Sequence, residues 1–409
     1  MNYQISNMKS PSEIKIAIVT PFGAEERLDQ FAEFLLAQGL VKRGYKVKFY
    51  TYKIRSSPGY VEDGAYKGVD TMRCSQKLGL SPKLFWNIIK WKPDIVILNH
   101  IRSFINFSGY IAAKIIKAKT VFQVVGFLHD PDVVSDRDNP LDNIKPQVDL
   151  IHSVVGLINK ILKTKSFTQS WVNYVFHFPL YKSDVRVTIT EFERSMLLKL
   201  AGLDSSVIPW GVKIAEQISG TEPKMSDGRE LPDQYLFYIG QVKLRKGWDT
   251  IIQALNLLKK EGVKRNLVFV TTSSPNDFKS AEEMVKALDL EEQVFFLHKI
   301  SNQERAWLYR HARATLAPSR YEGFGLTVFE SWAEGVPVLG TDIPVYSDFM
   351  LDGQTALVSK KGDPVSLAQN IKRLDEPGMH ERLVNGGLLK VAEYSDDRIV
   401  DNFLRVMGV

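Results

Sequence analysis

Two glutamates eight positions apart, Glu322 and Glu330, bracket the glycine-rich run Tyr321–Glu330, YEGFGLTVFE. Gly323 and Gly325 lie so close together that a helix is disfavoured there, which puts Glu322 in a loop. From Leu326 the run turns apolar and opens a helix, with Glu330 about one turn in, roughly 6 Å along the axis. A glycine loop feeding a helix start presents free backbone amides and the positive end of the helix dipole, a seat for a diphosphate. The two carboxylates would then accept hydrogen bonds from sugar hydroxyls on either side of it.

Such a loop has to be held by strands and helices, and both halves of the chain alternate the two. Ile14–Thr20 (IKIAIVT), Lys46–Tyr52, Asp94–Asn99, Thr120–Val125 and Val185–Ile189 read as strands, and Leu28–Arg43 as a helix closed by Gly44. Thr190 with Glu193 three residues later forms a capping box that starts another helix. In the second half Tyr235–Ile239, Asn266–Thr272, Val294–Leu297, Ala314–Ala317 and Val336–Gly340 read as buried strands, and Trp248–Lys260 as a helix. This alternation predicts an α/β protein of two doubly wound, Rossmann-like domains facing a cleft. The expected divisions are 1–206 and 207–389, with a C-terminal helix over about 390–409 packing back onto the first domain. Ligands of such sheets sit at the carboxyl ends of the strands.

The composition, 44% hydrophobic and 24% charged over 409 residues, supplies two cores and excludes collagen, coiled coil and disulfide scaffold. Cys74 is the single cysteine, so no intramolecular bridge forms, and a reducing, cytoplasmic setting is expected. The polar start, Met1–Ser12, has no apolar signal-like region, and no run of about 20 apolar residues offers a bilayer span. Residues 1–205 carry 28 Lys and Arg against 19 Asp and Glu, whereas 206–409 carry 25 against 28. An anionic partner for the first half, or simply a solvated basic face, accounts for that asymmetry.

Leu150–Tyr181 departs from simple alternation: it is rich in apolar and aromatic residues interspersed with Lys160, Lys163 and Lys165. It reads either as an interfacial segment touching a membrane or as helix packed on the first sheet. No Cys/His cluster offers a zinc site. No G-x-G-x-x-G follows the first strand, which counts against a dinucleotide oxidoreductase.

Gly240–Gly247 (GQVKLRKG), the turn VIPWGVK, the block APSRYEGFGLTVFESWAEGVPVLGTD and the later GQTALV occur in this order. Together they resemble the retaining, nucleotide-sugar-dependent glycosyltransferases of family four, which have the GT-B fold. The resemblance is close across 185–375 and looser over 14–135. It implies an N-terminal acceptor domain, a C-terminal donor domain, and a hexose moved from a nucleoside diphosphate sugar to an acceptor hydroxyl without cofactor or metal. Glu322 matches the glutamate that contacts the donor sugar, and Glu330 the one that holds the ribose. Phe324, Gly325, Leu326 and Thr327 match the loop whose amides meet donor hydroxyls and phosphate. Lys246 matches the lysine that neutralises the leaving diphosphate, Gly23 the glycine of the first strand–helix loop, and His129 the active-site histidine. Lys299 and Ile300 fall where the backbone reads the base.

This chain departs from the pattern at Gln241, where members usually carry an arginine that clamps the diphosphate; Lys243 and Arg245 are the nearby candidates to compensate. Trp210 stands where Asn is common, and the first loop has one glycine where two are usual. Asp130-Pro131-Asp132 has the look of a metal motif, but the proline and the expected fold favour a turn. The basic first half and the 150–181 segment point to a glycan or lipid-linked acceptor at the inner face of a membrane. Rival readings are a non-catalytic nucleotide-sugar-binding subunit, a phosphorylase or epimerase of the same fold, and a nucleic-acid-binding protein. The last is disfavoured because the motif-bearing half is acidic.

Overall fold

The computed structural model describes residues 9–21, 31–52, 63–78, 80–129, 133, 150–211, 219–271 and 278–409. Gly23, the Asp130-Pro131-Asp132 run and the side chain of His129 lie outside the described residues. The chain divides into two compact units, Met1–Gly211 with Asp396–Val409, and Val212–Ser395. Both are doubly wound α/β structures.

The first unit runs β1 (Lys15–Val19), α1 (Ala32–Lys42), β2 (Lys46–Tyr52), β3 (Gly64–Tyr66), β4 (Val69–Cys74), α2 (Pro82–Trp91), β5 (Ile95–Asn99), α3 (Asn106–Ile115) and β6 (Lys119–Val124). It continues through α4 (Val154–Thr164), α5 (Phe167–Lys182), β7 (Val185–Thr188), α6 (Glu191–Ala201) and β8 (Ser206–Val207). The sheet order is β3-β4-β2-β1-β5-β6-β7-β8, parallel except for β3 against β4. Every residue of β5 is buried, as expected of a parallel strand covered by helices on both faces.

The second unit runs β9 (Leu236–Gly240), α7 (Trp248–Lys260), β10 (Leu267–Thr271), α8 (Lys279–Ala287), β11 (Val294–His298), α9 (Asn302–His311) and β12 (Ala314–Leu316). It ends with α10 (Leu326–Ala333), β13 (Val338–Thr341), β14 (Leu357–Ser359), α11 (Pro364–Arg373) and α12 (Met379–Ala392). The all-parallel order is β11-β10-β9-β12-β13-β14. Strand order therefore reverses at β9, with β10 on one side and β12 on the other. The loops after β9 and β12 flank the crevice where such sheets bind ligands.

At Asp396 the chain returns to the first unit as α13 (Asp396–Met407). Ile399, Val400, Phe403 and Met407 are buried in the core with Phe34, Leu40 and Ile97. A Cβ on Gly39 of α1 would stand 2.4 Å from Val400 Cγ2, so this glycine sets how closely the two helices approach. Arg43 binds Asp397 and Asp401, and Lys119 Nζ donates to the Met407 carbonyl at 2.8 Å.

The 150–181 segment forms the α4–α5 hairpin. Tyr174 and Phe176 of α5 are buried, and Phe178 packs edge-on to Phe107 and Tyr110 of α3. Tyr174, Phe176 and Phe178 therefore pack within the first unit and are not membrane anchors. Among the described residues no helix is long and apolar enough to cross a membrane.

The capping box at α6 takes an altered form. Thr190 Oγ1 accepts from Glu193 N at 3.0 Å, but the Glu193 carboxylate reaches past the cap to Ile189 N at 3.3 Å and Phe127 N at 3.4 Å. It thereby ties α6 to the 3-10 turn Phe127–His129. Burial pushes this carboxyl up to about 7, against the opposing pull of the Ile189, Phe127 and Gly126 amides. Its folded pKa thus lies above the unfolded value. The stability it contributes is full below pH 4.5 and lost as the pH rises through 7, roughly 3 kcal/mol at 1.36 kcal/mol per unit. Urea midpoints compared at pH 5 and pH 8 are expected to fall more for the wild type than for Glu193→Gln; parallel behaviour would refute the assignment.

Candidate active site

The loops after β9 and β12 belong to strands paired through Thr315 and Phe237, so their carboxyl ends lie side by side. After β9 the chain makes a 3-10 turn, Leu244–Lys246, and enters α7 through Gly247 at φ +69°. A Cβ on Gly247 would stand 1.9 Å from the Pro318 carbonyl oxygen, so only glycine lets this turn press against the loop after β12. Arg320 binds Asp249 with both guanidinium nitrogens (2.6 and 2.7 Å) and donates to the Leu244 carbonyl at 2.5 Å, while its backbone N–H donates to the Arg245 carbonyl at 2.8 Å.

Lys246 is thereby set against Glu322, Nζ to Oε1 at 2.5 Å. Ser319 Oγ donates to the same oxygen at 2.7 Å. Burial alone would raise the Glu322 carboxyl, but the Lys246 ammonium, the Ser319 hydroxyl and the nearby Arg245 hold it below the usual carboxylate range. Glu322 is thus an anion in a nearly enclosed site, only 8% exposed.

Gly325, at φ +95°, caps α10 with no side-chain hydrogen bond, and a Cβ there would meet the Tyr346 ring at 2.6 Å. With no side-chain cap, the first two amides of α10, those of Leu326 and Thr327, have no partner within the helix, while Val328 N donates to the Gly325 carbonyl at 2.9 Å. Phe324 is buried, its ring stacked on Phe329 at 4.7 Å, so any contact it makes with a ligand comes from its backbone. Glu330, in the second turn of α10, accepts from Tyr309 Oη at 2.8 Å and pairs with Arg305 Nη1 at 3.3 Å.

Gln241 follows β9, and its Oε1 accepts from Arg245 Nη2 at 3.2 Å. Lys299 is exposed and takes a left-handed backbone, φ +55°, while Ile300 packs on the core cluster that includes Tyr309. The second unit therefore gathers Lys246 with Glu322, Gln241 with Arg245, and Glu330 with Tyr309, whose core cluster also carries Ile300. In the first unit the His129 backbone closes the 3-10 turn held by Glu193. Five residues in this architecture, Arg305, Tyr309, Ser319, Arg320 and Asp249, are not singled out from the sequence, although Ser319 and Arg320 lie within the APSRYEGFG block. Arg305 and Tyr309 share a face of α9 by their i, i+4 spacing, yet only the fold shows that Glu330 is their target. Among the described residues no group of three His, Cys, Asp or Glu is placed to hold a metal ion.

The model for "Glycosyltransferase Family 4" matches residues 34–216, and that for "Glycosyl transferases group 1" matches 222–387. The chain belongs to the glycosyltransferases of family four. Among relatives of this family, D-inositol 3-phosphate glycosyltransferase of Acidothermus cellulolyticus is 28% identical over 55% of this chain and 53% of its own length. O-antigen chain mannosyltransferase RfbU of Salmonella typhimurium is 36% identical over 31% of this chain and 35% of its own. These matches span about half or less of those relatives. The fold is shared over nearly the whole chain with solved glycosyltransferases of the GT-B class. Sucrose-phosphate synthase from Thermosynechococcus elongatus has a TM-score of 0.67 at 18% identity, covering 96% of this chain and 98% of its own. Anabaena HepE, solved with UDP and glucose, has a TM-score of 0.66 at 15% identity, covering 97% and 99%.

The turn–loop contact of this family-four protein is testable by a matched pair. Gly262 is also left-handed, φ +76°, but nothing would lie within 4 Å of its Cβ. Gly262→Ala is expected to cost about 1–2 kcal/mol of backbone strain. Gly247→Ala is expected to cost about 1–3 kcal/mol more from overpacking on Pro318. Equal losses in urea unfolding would show that the turn does not depend on that contact.

Proposed function

We propose that the protein is a retaining hexosyltransferase, moving a sugar from a nucleoside diphosphate donor to a hydroxyl of a glycan or lipid-linked acceptor. The observation that carries this reading is the meeting of Lys246, Glu322 and the open, glycine-capped start of α10 at the reversal point of the second sheet. Cation, anion and free amides together suit a diphosphate joined to a hydroxyl-rich sugar. The family and the names of its relatives support transfer to polyol and glycan acceptors.

In this reading the donor C1–oxygen bond breaks with its electron pair passing to the diphosphate, and the acceptor oxygen bonds to C1 on the same face. The acceptor proton goes to the departing phosphate oxygen. Lys246 and the α10 amides stabilise the growing phosphate charge, Glu322 orients sugar hydroxyls, and Glu330 takes the ribose. The backbone at Lys299 and Ile300 meets the base, and Gly23 and His129 act from the first unit. Charge neutralisation falls to side chains and amides, so the reading includes no metal or cofactor. Work at the cytoplasmic face of a membrane, with peripheral contact through 150–181 and no nucleic acid, completes it.

The non-catalytic subunit draws its support from Gln241, an uncharged residue where the family carries arginine. Against it stands the Arg245 guanidinium, hydrogen-bonded to Gln241 itself. The transferase reading assigns Arg245 the missing clamp.

Calorimetry with a panel of nucleotide sugars, alongside release of nucleoside diphosphate, tests the proposal. One donor is expected to bind and turn over slowly; Glu330→Ala should weaken binding by about tenfold or more, and Lys246→Ala should cut turnover by roughly 10²–10³. Binding without turnover, in the presence of a range of acceptors, would favour the subunit. No binding by any donor would end the reading.

Arg245 gives a separate prediction. Arg245→Ala should lose turnover by at least tenfold, and adding Gln241→Arg to it should restore most of the loss. Turnover unaffected by Arg245→Ala would remove its assigned role.

A further inference from the structure

The helix α4 carries apolar residues on two faces. Leu157 and Ile161 pack inward with Tyr174, Phe107 and Trp171. Val154, Val155, Ile158 and Leu162 point to solvent, with exposures of 61%, 67%, 51% and 71%. At 100° per residue the combined apolar arc spans about 160°, of which the inward pair covers only the edge. Phe167, 60% exposed at the start of α5, extends this face and stacks on Trp171. The Trp171 indole donates to the Leu78 carbonyl at 2.8 Å, which ties exposed Leu78 and Leu80 to the same end of the hairpin.

Charge selects the occupant. No Asp or Glu occurs from Leu150 to Ser183, while Lys163 and Lys165 are exposed at the end of α4. A second copy seated on this face would bring lysines against lysines with no carboxylate between them. An anionic lipid surface offers the complement: acyl chains for the aliphatic side chains and phosphates for the ammonium groups.

We infer that the outer face of α4, with Phe167, is the surface by which this protein docks on an anionic bilayer. This rests on the reading of a membrane-proximal acceptor and gives it a specific surface: the aliphatic side chains of α4 and Phe167, with Tyr174, Phe176 and Phe178 of α5 packed inside the first unit. The residues are already exposed, so substituting them should not disturb folding.

Co-sedimentation with vesicles of equimolar phosphatidylcholine and phosphatidylglycerol tests it. The full chain is expected to bind these at least tenfold more tightly than pure phosphatidylcholine. Ile158→Glu with Leu162→Glu should lose at least tenfold, and so should Lys163→Glu with Lys165→Glu. Leu389→Glu, at a 75% exposed leucine of α12, should bind as wild type. Failure of the wild type to bind, or undiminished binding by the Ile158/Leu162 variant, would overturn the inference. So would a wild-type dimer in sedimentation velocity that the same variant dissociates. Donor hydrolysis by that variant should equal wild type, separating this surface from the active site. Vesicle binding without binding of any donor would leave the surface standing and the transferase reading fallen.

Discussion

The contact between the turn after β9 and the loop after β12 is the constraint on which the chemistry of the second unit depends. Lys246 and Glu322 are 76 residues apart in the chain, and their approach to 2.5 Å requires two strand ends to be locked in register and height. The lock has steric and electrostatic parts. Gly247 removes the Cβ that would collide with the Pro318 carbonyl, and Arg320 spans the gap with a bidentate hold on Asp249. An exposed ion pair contributes little, but a planar, two-pronged one fixes direction as well as distance. A site assembled before ligand arrives has little reorganisation left to do when charge develops.

Strand after strand was legible because parallel strands covered on both faces read as unbroken apolar runs. Lys46–Tyr52 and Trp248–Lys260 coincide with β2 and α7, and Asp94–Asn99 differs from β5 by one residue. The glycine loop and helix start at Gly325 were equally visible, since positive φ and a lost Cβ leave a mark in residue type. What periodicity could not carry was partnership across the fold. Glu193 looked like a local cap, and only the packing of α6 on the 126–129 turn turned its carboxylate toward Phe127. Arg305 and Tyr309 looked like ordinary helix-surface residues until α9 was laid beside α10. The 150–181 segment was ambiguous for a related reason. Composition averages over faces, and this hairpin combines a buried aromatic face on α5 with an exposed aliphatic one on α4.

Cys74 and the carboxyl-end polar groups of the first sheet follow the same rule that side-chain type alone does not give environment. The thiol is buried and pushed up to about 12, chiefly by burial, so it is an inert core group rather than a nucleophile. Thr20, Asn99 and Gln123 are buried too, at the ends of β1, β5 and β6. The Asn99 amide bridges to the Val19 carbonyl at 3.0 Å, pinning β5 to β1 where that sheet reverses its order.

The free protein keeps its charged site groups in balanced pairs, and this shapes how a ligand enters. Glu322 is met by Lys246 and Ser319, Glu330 by Arg305 and Tyr309, and Arg245 by Gln241. Each carboxylate therefore has a neutral hydroxyl partner beside its cation. If an arriving diphosphate draws Lys246 away, Ser319 still donates to Glu322, so the buried carboxylate does not lose all its support at once. The same holds at Glu330, where Tyr309 retains one oxygen while the other turns to a ribose hydroxyl. Burying a charge without a partner costs several kcal/mol, and exchange of partners avoids that state altogether. On the proposed reading, the hydroxyl neighbours are what let Glu322, a buried carboxylate, and the part-exposed Glu330 each hand a cation to a substrate without losing every partner.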